Sequence, residues 1–111
     1  DTIAEAQAVA HFHPDIINPE PTELIGGTAA SDMRYVKEAI QAVKAIDPNI
    51  LVEQAAGITT AQQIYDFIMA GSEAAGSASG ILRSPHPYEL LDEMVLYTKK
   101  AGEALAGQSK A

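Results

Sequence analysis

Two hydrophobic patterns alternate along this chain. Short unbroken apolar runs, Ile16-Ile17 and Ile50-Leu51-Val52, are separated by longer stretches in which apolar residues return every three or four positions. The first pattern predicts a buried strand and the second a helix with one apolar face. Met33, Val36, Ile40 and Val43 mark one such helix, with Ser31 as its expected N-cap. Ile64, Phe67 and Ile68 mark another, opened by Thr60 and Gln63 as a capping box and stopped by Gly71. Leu90, Leu91, Met94, Val95 and Ala101 mark the last, opened by Ser84 and Pro85. An alanine-rich helix, roughly Thr2 to Phe12 with Asp1 as its cap, precedes the strand Ile16–Asn18, and Pro14 and Asp15 turn the chain between them. Asp47-Pro48-Asn49 is a turn. A weak third strand, about Ala74 to Ala78, leads into Ser79-Gly80, and the tail Gly107–Ala111 is expected to fray.

The resulting order, α-βα-βα-βα, belongs to the α/β class, with parallel strands and right-handed crossovers. Units of about thirty residues suit βαβ modules. No sequence repeat accompanies this architectural one. The 111 residues suffice for one domain with a real core and not for two. No apolar run approaches a membrane span, and no basic segment followed by an apolar one marks a signal peptide. The absence of cysteine removes disulfide and thiolate chemistry and agrees with a reducing compartment, so a soluble, cytoplasmic protein is expected. A net charge of −8 argues against a nucleic-acid partner. Its acidic residues are spread over helix faces, where they serve solubility. The first residue is Asp rather than Met and already sits at a helix cap, so the chain reads as cut from something longer.

Chemistry concentrates in the loops that follow the strands. In a parallel sheet these loops share one edge, where barrels and open α/β folds bind ligands. The first loop carries Glu20 between Pro19 and Pro21, then Gly26-Gly27; the second carries Ala56-Gly57; the third carries Ala78-Ser79-Gly80. Prolines on both sides restrict the backbone around Glu20. A carboxylate fixed at a strand end suits proton abstraction. Small residues in the other loops leave backbone N–H groups open to a phosphate.

Glu20-Pro21-Thr22-Glu23-Leu24-Ile25-Gly26 resembles the sixth-loop motif of the triosephosphate isomerase family, in the archaeal-type form with Glu-Leu-Ile-Gly. Ala56-Gly57-Ile58 is similar to the seventh-loop motif of that branch and Ala78-Ser79-Gly80 to the eighth. The resemblance covers nearly the whole chain and implies the C-terminal three βα units of a TIM (β/α)8 barrel, preceded by the helix after strand five. It implies aldose–ketose isomerisation of a small phosphorylated sugar through an enediolate, without a cofactor or metal. Glu20 would be the catalytic base, and Ile25 and Gly27 would belong to a closing lid. Gly26, Gly57, Ser79 and Gly80 would hold the substrate phosphate through backbone N–H groups. The lid reads Gly26-Gly27-Thr28 where the family has Gly-Thr-Gly, and is shorter by about one residue. The family's carbonyl-polarising Lys and His belong to its first and fourth strands, outside this chain. A chain lacking them is expected to be nearly inert alone, because such stabilisation is usually the largest catalytic contribution.

A whole barrel takes roughly 250 residues, so this chain holds under half of one. The missing strands can come from a second polypeptide that supplies the N-terminal half of the barrel. Alternatively, the chain self-associates or rearranges into an open α/β sandwich. The competing functional class is a non-catalytic phosphate-binding scaffold. An aldolase-type barrel enzyme would need a Schiff-base lysine on a strand, and no lysine falls on one. Other residues read more simply. His11 and His13 precede the first strand, away from the three loops, and His86 lies at the last helix's start. Asn18 and Glu53 sit near strand ends, where ordinary polar lining is the simpler reading and a partner of the site's residues the alternative; Ser79 is chosen for its size, and Lys99-Lys100 complement a helix dipole.

Overall fold

The computed structural model describes residues 1–27 and 30–109. Three parallel strands, β1 (Ile16–Ile17), β2 (Leu51–Gln54) and β3 (Ala74–Ala75), lie in the order β1-β2-β3. Around them run α1 (Ile3–Ala10), α2 (Met33–Ile46), α3 (Ala61–Met69), the short α4 (Ser79–Leu82) and α5 (Pro87–Ser109). The expected α-βα-βα-βα order is present, with α4 as an added turn of helix after β3.

Register sets which face of the sheet is covered. Ile16 pairs with Leu51 and Ile17 with Val52. Ile17 and Val52 are buried, whereas Ile16 and Leu51 stay about half exposed. One face thus packs on helices and the other is open, as alternation along a strand dictates. The core lies on the covered face. It joins Ile17, Ile50 and Val52 to Val36, Ile40 and Val43 of α2, Ile64, Phe67 and Ile68 of α3, and Met94 and Ala101 of α5. Each large side chain removed from water there contributes about 1.5–3 kcal/mol.

Local chemistry moved several expected boundaries. Asp1 is not the cap of α1. Thr2 is, in a reciprocal capping box with Glu5, and the Asp1 carboxylate instead accepts from the Thr22 N–H at 2.7 Å. The helix stops at Ala10 rather than Phe12, and His13 takes a left-handed φ of 53° just before Pro14. At α2 the cap is Asp32, whose Oδ1 accepts from the Arg34 N–H, and Ser31 is buried one residue too early. The Thr60–Gln63 capping box of α3 is present as expected. Gly71, with φ +117°, follows its last turn and donates to the Ile68 carbonyl. Strand β3 is two residues long rather than five, because Gly76, Ser77 and Ala78 turn away to line a cavity.

The last helix opens at Pro87, not at Ser84-Pro85, and continues through Gly107 to Ser109; Lys110 and Ala111 lie outside the described residues. Its inward stripe is Leu90, Met94, Tyr97, Ala101 and Leu105. Leu91 and Val95, expected on that stripe, are exposed instead. Large exposed apolar residues therefore lie on α1 (Val9), just beyond it (Phe12), on the open sheet face and on α5. No helix among the described residues is long and apolar enough to cross a membrane.

Candidate active site

Every strand in a parallel sheet leaves at the same end, so the three βα loops meet there. In the first, Glu20 is half-buried between the buried Pro19 and Pro21. Its backbone N–H donates to the Asn18 carbonyl at 3.0 Å, and the Asn18 side-chain amide donates to Glu20 Oε1 at 3.1 Å. Asn18 thus bonds the carboxylate directly, the alternative to ordinary lining. From α2 the Tyr35 hydroxyl donates to the Pro19 carbonyl at 3.3 Å and the Asp1 carbonyl at 3.2 Å. Burial, and then the Glu23 and Glu5 charges, raise the Tyr35 pKa above its ordinary value. Beyond Pro21 a 3-10 turn, Thr22–Leu24, carries the chain to Ile25 and to Gly26, whose φ of +76° suits glycine. The lid residue Thr28 lies outside the described residues.

The second and third loops lock into each other. Ala56 and Gly57 are consecutive left-handed residues, with φ 65° and 69°. They turn the backbone so that the Ile58 carbonyl faces the third loop. There it accepts from Ser77 Oγ at 2.8 Å. A Cβ on Gly80 would stand 2.1 Å from the same oxygen, so only glycine fits. A Cβ on Gly76 would stand 2.9 Å from Glu53 Oε1, which places the Glu53 carboxylate against this strand end.

Together the loops enclose a cavity of about 260 Å³ lined by Glu20, Ile25, Gly26, Gly57, Ser79 and Gly80 among others. Six of the seven residues singled out from the sequence meet in this one space. Gly27 lines instead an adjoining cavity of about 290 Å³, with Thr59 and Arg83, which shares Ser79 and Gly80 with the first. Arg83, at the C-cap of α4, reaches back across the loops, and its Nη1 donates to the Gly26 carbonyl at 3.0 Å. Sequence reasoning missed Arg83, Ser77 and Tyr35. Arg83 alone carried a signal, as an isolated arginine three residues beyond a Ser-Gly loop.

The remaining candidates lie elsewhere. His13 Nδ1 pairs with Asp47 Oδ2 at 2.8 Å at the opposite end of the sheet. His86 is exposed near Glu89. Lys44 on α2 bonds the Ile50 carbonyl and Glu73, whose other oxygen accepts from the Val52 N–H, a clamp at the strand starts. Among the described residues no group of three or more His, Asp or Glu is placed to hold a metal.

No protein-family model matches the chain. Among curated proteins it is similar to the triosephosphate isomerase of Methanobrevibacter smithii, with 35% identity over 98 residues, covering 86% of this chain and 44% of that protein. It is also similar to that of Sulfurisphaera tokodaii, with 30% identity over 104 residues, covering 91% and 45%. Among solved structures it is similar in fold to (S)-3-O-geranylgeranylglyceryl phosphate synthase from Thermoplasma acidophilum, in complex with its substrate sn-glycerol-1-phosphate. The TM-score is 0.67 at 21% identity, covering 88% of this chain and 37% of that one. The chain is thus a triosephosphate-isomerase-like α/β segment of TIM-barrel type, spanning about 44% of the length of the relatives it matches.

Proposed function

We propose that this chain carries the base and the phosphate cradle of a sugar-phosphate isomerase whose remaining groups lie outside it. The observation that supports the reading best is the shared cavity, where a carboxylate bonded by Asn18 lies among three loops of small residues. Glu20 removes the proton from the carbon next to the substrate carbonyl and returns it to the neighbouring carbon, so aldose and ketose interconvert through an enediolate. Asn18 holds the Glu20 carboxylate by its Oε1, leaving the other oxygen for the proton. The backbone around Gly26, Gly57, Ser79 and Gly80 receives the phosphate, and Ile25 with Gly27 closes over it to exclude water. No cofactor takes part. The sn-glycerol-1-phosphate bound by the structural relative is a phosphorylated small molecule of the same kind.

A complete site needs an electrophile for the substrate carbonyl. A complementary polypeptide bringing the N-terminal half of the barrel supplies it and covers the open face at Ile16 and Leu51 together with the exposed flank of α5. Self-association covers the same surfaces without supplying that electrophile. It leaves the second reading, a non-catalytic phosphate-binding scaffold.

Native mass spectrometry of the purified protein separates the two assemblies. In a hetero-complex, Glu20→Gln removes deuterium exchange at the substrate carbon while phosphate binding persists. Normal turnover by that variant would remove Glu20 from its role. A homo-oligomer that binds phosphate without exchanging substrate protons would favour the scaffold.

A further inference from the structure

The cavity that gathers Glu20, Gly26, Gly57, Ser79 and Gly80 has no cation in its lining, and Glu20 is itself a carboxylate. The chain as a whole carries −8. A phosphate dianion entering there meets backbone dipoles and a net repulsive field. Arg83 is the one cation lining the adjoining cavity, which shares Ser79 and Gly80 with the first. Its Nη1 is bonded to the Gly26 carbonyl, so the guanidinium stands at the boundary of the two cavities.

Most other basic side chains are engaged elsewhere: Arg34 with Glu38, Lys44 with Glu73, Lys99 with Glu103, and Lys100 over the Tyr97 ring. Arg83 makes no ion pair among the described residues. A guanidinium has five N–H donors in a planar fork, and the Gly26 carbonyl uses one. The others suit two phosphoryl oxygens at once. The placement is also built. Arg83 caps α4 through its N–H to the Ser79 carbonyl at 2.9 Å, and α4 is seated by the Gly80–Ile58 contact.

We infer that Arg83 is a phosphate-binding residue, which pairs with a phosphate held by the three loops while fastening the Gly26 carbonyl. Phosphate binding is thereby coupled to the position of the loop that carries Glu20. This rests on the phosphate cradle proposed above and adds to it the counter-ion that the loops lack.

The test is titration of the purified protein, in the assembly in which it is isolated, with inorganic phosphate, read from backbone amide shifts at Gly57, Ser79 and Gly80. Arg83→Gln should weaken phosphate about tenfold and flatten the dependence of affinity on salt, with an unchanged melting temperature. Arg83→Lys should recover part of the loss and the salt dependence. Unchanged phosphate affinity in Arg83→Gln would overturn the role of Arg83 and leave the cradle standing. Equal weakening by both variants, with the salt dependence of the unmodified protein, would also overturn it, since the effect would then be one of loop structure. A protein whose amides do not respond to phosphate would overturn the cradle and Arg83 together.

Discussion

Gly80 lies so close to Ile58 that a Cβ on it would stand 2.1 Å from the Ile58 carbonyl oxygen. That oxygen also accepts from Ser77 Oγ, so the loops after β2 and β3 are fastened at one atom. Gly80→Ala forces this contact apart against backbone, which does not yield as a flexible side chain would. The expected cost is about 2 kcal/mol, typical of overpacking at a tight site. Urea unfolding of the two proteins checks it, and a variant as stable as the parent would show that the loops separate freely.

The structure gives Gly80 a packing reason that is independent of any ligand. Small residues at strand ends marked a place where a phosphate comes close, and the structure adds that Gly80 is small because another loop occupies its Cβ position. The architecture was legible because Val36, Ile40 and Val43 repeat at helical spacing and Ile50-Leu51-Val52 do not. Leu91 and Val95 misled because periodicity reports that a helix has an apolar face and not whether that face is covered. In this fold one such face of α5 is exposed. Ser31 misled because Asp32, one residue later, competes for the same cap and wins by reaching the Arg34 N–H. Arg83 offers the sequence only an isolated arginine beyond a Ser-Gly loop, because its contact with Gly26, fifty-seven positions earlier, arises from the fold.

At the opposite end of the sheet, His13 and Asp47 tie the end of α1 to the turn before β2. The His13 hydrogen bond, and then that from the Asn49 N–H, hold the Asp47 pKa below the ordinary value of 3.8. The folded protein therefore binds a proton here less readily than the unfolded chain. The stabilisation is fully present above the ordinary value and is lost as pH falls through the depressed one. Asp47→Asn should be less stable than the parent near neutrality, and the gap should narrow as pH falls below 3.8. Melting temperatures of both proteins from neutral to strongly acidic pH test this. A gap that stays constant across that range would mean that the Asp47 charge contributes nothing.

The last residue of β2, Gln54, is fully buried on the covered face beside Val52. Its backbone carbonyl accepts from the Gly76 N–H at 2.8 Å, but both polar atoms of its side chain lack a hydrogen-bond partner among the described residues. A buried polar group without a partner costs about 1–3 kcal/mol relative to one that is satisfied. Methionine has nearly the same length and an unbranched stem, so it can fill the space without the desolvation penalty. Gln54→Met should stabilise the protein by about 1 kcal/mol, visible as a higher urea midpoint with an unchanged slope. A lower midpoint would mean that the amide is satisfied in solution by ordered water or by an associated chain. Repeating the measurement across protein concentrations separates those two, because only association makes the loss depend on concentration. A gain in stability would instead mark Gln54 as retained at a cost, one strand residue behind the loop that seats the cavity.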